Sequence, residues 1–149
     1  MIYKYEFSVS GDHFCPENLI KLIGDEFIVD SYFKSDDRKV NGEEYGYGSI
    51  SFWHPQKYAT EEVVRDYDRS FVDFVERNYS LFTEYGGDDF QFFVEIYYDG
   101  GQCNFEIFDK RLLKKLGSIG VSVPVSVYSL EVQEILKWET EINDAWGRS

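Results

Sequence analysis

Histidine, cysteine, proline and basic side chains are all scarce in this chain. Its 149 residues hold two His, two Cys, three Pro, one Met and only 15 Lys and Arg, against 28 Asp and Glu. Each shortage closes a class of function. His13, His54, Cys15 and Cys103 form neither a His-x-x-x-His pair nor a closely spaced cysteine pair, so no zinc or dithiol motif is present. The two thiols read as reduced cysteines of a cytoplasmic protein rather than as a disulfide framework. No run approaches the roughly eighteen apolar residues of a membrane helix. The opening Met1-Ile2-Tyr3-Lys4-Tyr5-Glu6 reads as a charged strand, not as a signal peptide. The deficit of bases leaves a net charge of −13, which repels nucleic acid and anionic membranes and favours cationic partners.

What the chain has in quantity is aromatic side chains, 19% of all residues, within a hydrophobic content of 43%. That content is ordinary for a globular domain and argues against disorder. Rings bury large areas, and they also anchor protein–protein contacts. The length fits one domain with a sizeable core. Residues 1–128 read as that domain, and residues 129–149 as a C-terminal helix and tail, with residues 146–149 frayed.

Hydrophobic periodicity gives the element order. Tyr3, Tyr5, Phe7 and Val9 alternate with Lys4, Glu6 and Ser8, which marks a strand with one wet face. Pro16 opens a short helix that Gly24 ends. A strand over residues 26–34 leads through Asn41-Gly42, a strong turn signal, into a strand over 44–53. Gly46 and Gly48 within it signal a bulge or a close backbone approach. Thr60 reads as the N-cap of the longest helix, over 60–82, with Val64, Tyr67, Phe71, Phe74, Val75 and Phe82 on one stripe. Residues 90–98 and 102–108 read as strands joined at Asp99-Gly100-Gly101, with Cys103, Phe105 and Ile107 facing inward. A helix over 109–116 and a valine-rich strand over 121–127 follow, with Pro124 signalling an edge or a bulge. The fold class is α+β: a single mixed or antiparallel sheet of about six strands, with helices packed mainly on one face.

The first signature, Gly11-Asp12-His13-Phe14-Cys15-Pro16 with the following Leu19-Ile20-Lys21-Leu22-Ile23-Gly24, resembles the opening of a bacterial family catalogued as domain of unknown function 4279. Leu112-Leu113-Lys114-Lys115-Leu116-Gly117 and the strand ending at Tyr128 are similar to that family's close. Residues 45–53 stand where the family carries a tryptophan-containing strand, and the tail beyond Tyr128 is an addition. The resemblance implies an α+β fold and no activity. Small acidic domains of this kind also resemble the immunity proteins that bacteria pair with secreted toxins.

Candidate chemistry is thin. Asp12, His13 and Cys15 lie within four residues, but no third, orienting residue is apparent, and a turn leading into a helix accounts for them. His54 reads as a surface residue of a loop. The many acids lack the spacing of a calcium loop, and Gly46-x-Gly48 is no phosphate loop. The wet sheet face is more informative. With Tyr3, Phe92 and Phe105 under the helices, Lys4, Glu6, Tyr45, Tyr47, Phe93, Glu95, Tyr97, Gln102, Glu106 and Phe108 face away, and Trp53 counts among the contact residues. Asp36, Asp37, Glu43, Glu44, Asp88 and Asp89 add an acidic rim from the turns. Rings mixed with carboxylates suit a grip on a basic protein. The competing expectation is that the tail helix covers this face.

The expected function is therefore non-enzymatic: binding of a cationic protein, most concretely an immunity protein that occludes the cleft of a basic toxin such as a nuclease. No cofactor, metal, nucleic acid or membrane partner is expected, and the chain alone is expected to be a monomer. Two alternatives stay open: a small-ligand-binding domain or hydrolase of unrecognised type, and a structural subunit of a larger assembly.

Overall fold

A computed structural model describes residues 1–148; Ser149, the last residue of the expected frayed tail, lies outside the described residues. The chain runs β1 (Ile2–Gly11), α1 (Pro16–Leu19), β2 (Ile28–Phe33), β3 (Gly48–Trp53), β4 (Ala59–Thr60), α2 (Val64–Glu84), β5 (Asp89–Tyr98), α3 (Lys110–Ser118), β6 (Val121–Ser122), β7 (Val125–Ser129) and α4 (Val132–Ala145). One mixed sheet of seven strands results, in the order β2-β3-β1-β5-β6, with β4 beside the start of β1 and β7 beside β5. The fold is α+β. The first four strands along the path pair antiparallel, and β6 and β7 join β5 in parallel.

The inner face of the sheet carries the core. Alternation along β1 sends Tyr3, Tyr5, Phe7 and Val9 inward, beside Phe52 of β3 and Phe90, Phe92, Val94 and Ile96 of β5, all buried. The apolar stripe of α2 lies against them: Phe71 meets Phe92 at 5.5 Å between ring centroids, and Phe82 meets Phe7 at 5.6 Å. Burial of so many rings is the main source of stability.

Glycines fix the approach of the loop after β1. A Cβ on Gly48 would lie 2.2 Å from the Phe14 carbonyl oxygen, and one on Gly11 would lie 2.3 Å from that of Gly86. The close approach signalled by the glycines of residues 44–53 is thus made at Gly48. Gly46 lies in the turn before β3, which starts at Gly48 rather than at residue 44.

Several expectations need correction. Residues 102–108 form no strand. They leave the sheet after Gly100 and Gly101, both at positive φ, and run as a strap to α3. The edge of β5 where they would pair is taken by the β-branched Val121, Val125 and Val127, which α3 carries back in a parallel crossover. Phe108, expected on the wet face, is instead fully buried and packs on Tyr5 and Phe92, even though this places it at φ 60°. Phe105, expected inward, is exposed, and Cys103 and Ile107 are only half-buried.

Thr60 caps no helix: it lies in β4, and its hydroxyl donates to the Asn143 side-chain oxygen of α4 at 2.5 Å. Trp146 is not frayed: its indole N–H donates to the Tyr58 carbonyl at 2.8 Å, and its ring stacks on His54. Through these contacts α4 closes one end of the outer sheet face, where Ile135 and Ile142 cluster with Ile2, Tyr97 and Trp138.

Candidate functional site

The antiparallel register lays out the outer face of β2, β3, β1 and β5 in rows. The row nearest the loop after β1 reads Phe33, Ser49, Ser10, Asp89; the next reads Ser31, Ser51, Ser8, Gln91; the third reads Ile28, Trp53, Glu6, Phe93. Serines thus meet across three strands, and the Ser31 and Ser51 hydroxyls lie 3.0 Å apart. Side chains this small make a low floor between taller walls.

Over this floor opens a depression of ≈ 430 Å³. It is lined by Ser8, Ser10 and Ser49, by Tyr47 and Gln91, and by the carboxylates of Asp12, Asp88 and Asp89. None of these three acids has an ion-pair partner among the described residues. Asp89 only accepts a hydrogen bond from the Gln91 amide. The serine floor ends at a ridge formed by Trp53 and Phe93. Phe93 is 45% exposed, large for a ring on a sheet face that carries no helix at that point. The Trp53 indole donates to Glu6 at 3.1 Å, and the Lys57 ammonium sits 3.9 Å from the Trp53 ring centroid. Lys4 pairs with Glu95 at 3.2 Å.

Several expected contact residues therefore converge. Trp53, Phe93, Glu95, Tyr47, Asp88 and Asp89 belong to one surface, and Tyr45 joins it through Phe33, on which it stacks at 3.8 Å. Tyr97 shares the face but lies under α4, where Trp138 meets its ring edge-on at 5.3 Å. Its hydroxyl donates to Glu95, and burial with that neighbouring carboxylate pushes its pKa upward. The competing expectation that the tail helix covers this face holds for this end alone.

Other expected residues stand elsewhere. Glu106 lies on the strap and pairs with Arg65 of α2 at 2.9 Å. Asp37 caps its own turn by accepting from the Lys34 N–H, and Asp36 sits 3.9 Å from Lys34. Glu43 and Glu44 lie in the Asn41-Gly42 turn, where Glu43 accepts from the Asn41 amide.

Asp12, Ser8, Ser10 and Ser49 were not among the expected contacts. Their signal lies in the sequence: at the adjoining ends of β1 and β3 the outward positions are serines, too small to fill a face.

A second polar group lies in the core. Asp68 of α2 is 0% exposed; it accepts from the Tyr5 hydroxyl at 2.7 Å through Oδ1, while Oδ2 has no hydrogen-bond partner. Burial pushes its pKa from 3.8 up to about 6, against the Tyr5 hydrogen bond and the Arg65 guanidinium 3.8 Å away. Tyr67 beside it accepts from the Tyr5 N–H and donates to the Lys57 carbonyl. Neither Asp68 nor Tyr67 reaches the outer face. The sequence carried a sign of Asp68, since Val64, Asp68, Phe71 and Val75 keep the spacing of the apolar stripe of α2.

The two histidines are also resolved. His54 is half-buried rather than a free loop residue: its ring packs among Trp146, Tyr67 and Phe27, and its Nδ1 accepts from the Gln56 N–H at 3.0 Å. Burial lowers its pKa. His13 and Cys15 are exposed on the loop after β1, and the Cys15 N–H ties that loop to the Tyr85 carbonyl at 3.0 Å. No group of three or more His, Cys, Asp or Glu that could hold a metal ion occurs among the described residues, and no helix is long and apolar enough to cross a membrane. Comparison with protein-family models, with curated proteins and with solved structures gives no match.

Proposed function

We propose that this protein binds a cationic protein through the outer face of its sheet, as an immunity-type inhibitor of a basic toxin such as a nuclease. The observation that carries the reading is the placement of Asp12, Asp88 and Asp89, unpaired, around a serine-floored trough beside the exposed rings of Tyr47 and Phe93. A Lys or Arg side chain entering the trough exchanges water for carboxylates and serine hydroxyls, as charge-assisted hydrogen bonds require. The rings supply apolar surface on which the methylene stems of such side chains pack. A nuclease cleft is built to hold phosphates, and carboxylates spaced around one depression compete for the same guanidinium and ammonium groups. The net charge of −13 steers such a partner from a distance.

Affinity capture at low salt from lysate of the producing cell tests the reading, with the wild type and an Asp12→Asn, Asp88→Asn, Asp89→Asn variant as parallel baits. One basic, stoichiometric partner held by the wild type and lost by the variant supports it. A partner retained equally by both baits sinks it.

One observation favours a second reading. The trough is of small-ligand size and lined by hydroxyl, amide and carboxylate groups, which suits a polar small molecule. A thermal-shift screen of polyols, sugars and amines separates the two, because a small ligand raises the melting temperature in the absence of any protein.

A further inference from the structure

We propose that the open edge of β7 is a docking site where an extended, cationic segment of a partner protein adds to the sheet as a further strand. β7 pairs with β5 on one side only. The Val94 N–H donates to the Pro124 carbonyl and the Leu130 N–H to the Tyr98 carbonyl, which fixes the phase of the parallel ladder. In that phase Ser126, Tyr128 and Leu130 point their amides at β5. Val125, Val127 and Ser129 turn their N–H and C=O groups outward, where nothing in the sheet answers them.

Natural edges are blunted by charge, bulges or proline within the strand. The opposite edge obeys this. β2 carries Asp30 at a break in its register, and the hairpin that ends in Glu43 and Glu44 follows it. β7 has none of these devices: its sequence is Val-Ser-Val-Tyr-Ser, and residues 119–130 contain no charged side chain in a chain that is 29% charged. Pro124 precedes the strand and spends no outward N–H of it.

Every residue of β7 is exposed, with Val125 at 43% and Val127 at 48%. Their partners Val94 and Ile96 are buried inner-face residues, so the two valines extend the apolar face one strand beyond its cover. On the other face Tyr128 offers a ring held by its stack on Tyr97 at 5.1 Å. An added strand with aliphatic residues on one side matches this surface.

Charge selects the occupant. Asp99 and Glu131 stand exposed at the far end of β7, without an ion-pair partner among the described residues, and Glu134 follows in the first turn of α4. Basic residues at the matching end of the incoming segment meet these acids. A second copy of this chain would set −13 against −13 across the same edge.

The proposal stands apart from the outer-face reading, because the trough and the edge are tested by different residues. The probe is a ten-residue peptide of alternating Val and Thr with two Lys at each end, titrated into isotope-labelled protein while backbone amide shifts are followed. Expected are saturable shifts centred on Val125, Val127 and Ser129, and at least tenfold weaker binding by Val127→Pro, which deletes an outward N–H on an edge that tolerates proline. Val127→Lys, which leaves the backbone intact, weakens binding to a similar degree and covers the case that the proline variant does not fold. Exchanging the peptide lysines for Glu abolishes the shifts, and Asp12→Asn, Asp88→Asn, Asp89→Asn leaves them in place.

Absence of saturation up to about 1 mM peptide, or shifts confined to the trough, overturns the proposal. So does a dimer in sedimentation that Val127→Lys dissolves, since the edge would then belong to a second copy.

Discussion

The helix side and the outer sheet side of this molecule both bristle with carboxylates, yet they use them differently. Over α2 and α3, Glu76 and Asp73 share Lys115, Asp66 pairs with Arg69, Glu106 with Arg65, and Glu26 with Arg77. Around the serine trough, Asp12, Asp88 and Asp89 have no base to answer them. Exposed ion pairs contribute little to stability, about 0–1 kcal/mol each, so the helix side is best understood as a neutralised, solvated surface. The trough keeps its three carboxylates free of ion pairs and sets them beside exposed rings, although Lys4 and Glu95 pair farther along the same face. The lesson is that net charge alone does not single out a face; the distribution of unpaired charge does, and the proposed binding surface rests on it.

The sharpest way to break the comparison is to remove one phenylalanine from each face. Phe7→Ala on the inner face deletes a ring packed against Phe52, Phe82, Phe90 and Phe92, and should cost about 3–5 kcal/mol in urea unfolding. Phe93→Ala on the outer face should leave unfolding within about 0.5 kcal/mol of the wild type. Its effect should appear instead as weaker capture of the basic partner. A large loss of stability in Phe93→Ala would mean that the outer face is a second core.

Asp68 tests the same contrast from inside. Its folded pKa of about 6 exceeds the ordinary 3.8, so the folded state holds a proton more tightly than the unfolded chain does. The stabilisation linked to that proton is fully present below about pH 3.8 and is lost as the pH rises through about 6, a span worth about 3 kcal/mol. Asp68→Asn removes the titration. The difference in unfolding free energy between variant and wild type should therefore move in favour of the variant from pH 4 to pH 7, and then level off. A difference that stays flat across that range would contradict the assignment.

A smaller effect tests the closure of the outer face by α4. Trp146→Ala removes the stack on His54 and the bond to the Tyr58 carbonyl, and should cost about 2 kcal/mol. Hydrogen exchange should then rise first in α4, ahead of the α2 core, because the cluster of Ile2, Ile135 and Ile142 is separate from the main one.

Much of the fold was legible in residue order. Alternation in β1 and β5, the α2 stripe and the Asn41-Gly42 turn all appear where periodicity and turn chemistry place them. What failed was long-range competition. Residues 102–108 carry a strand-like alternation, but only the fold reveals that residues 121–129 claim the same edge of β5. His54 and Trp146 lie ninety-odd positions apart, and no local pattern announces their stack. Of the candidate site, the Phe93 ring and Glu95 on β5 could be read from strand phase, and Asp88 and Asp89 from the turn that leads into it. Glu106 could not, because its face depended on a strand that does not form. The serine floor went unnoticed because small residues signal a site only by what they leave empty.

The central claim is that unpaired carboxylates on the sheet side draw in a cationic protein. The most direct measurement is the association rate of the captured partner with the wild type and with Asp12→Asn, Asp88→Asn, Asp89→Asn at about 50 and 500 mM salt. The account predicts wild-type association approaching the order of 10⁸ M⁻¹s⁻¹ at low salt, a steep fall at high salt, and a slower, flatter response in the variant. A wild-type rate that barely changes with salt, or a variant that matches it at every ionic strength, would contradict the account.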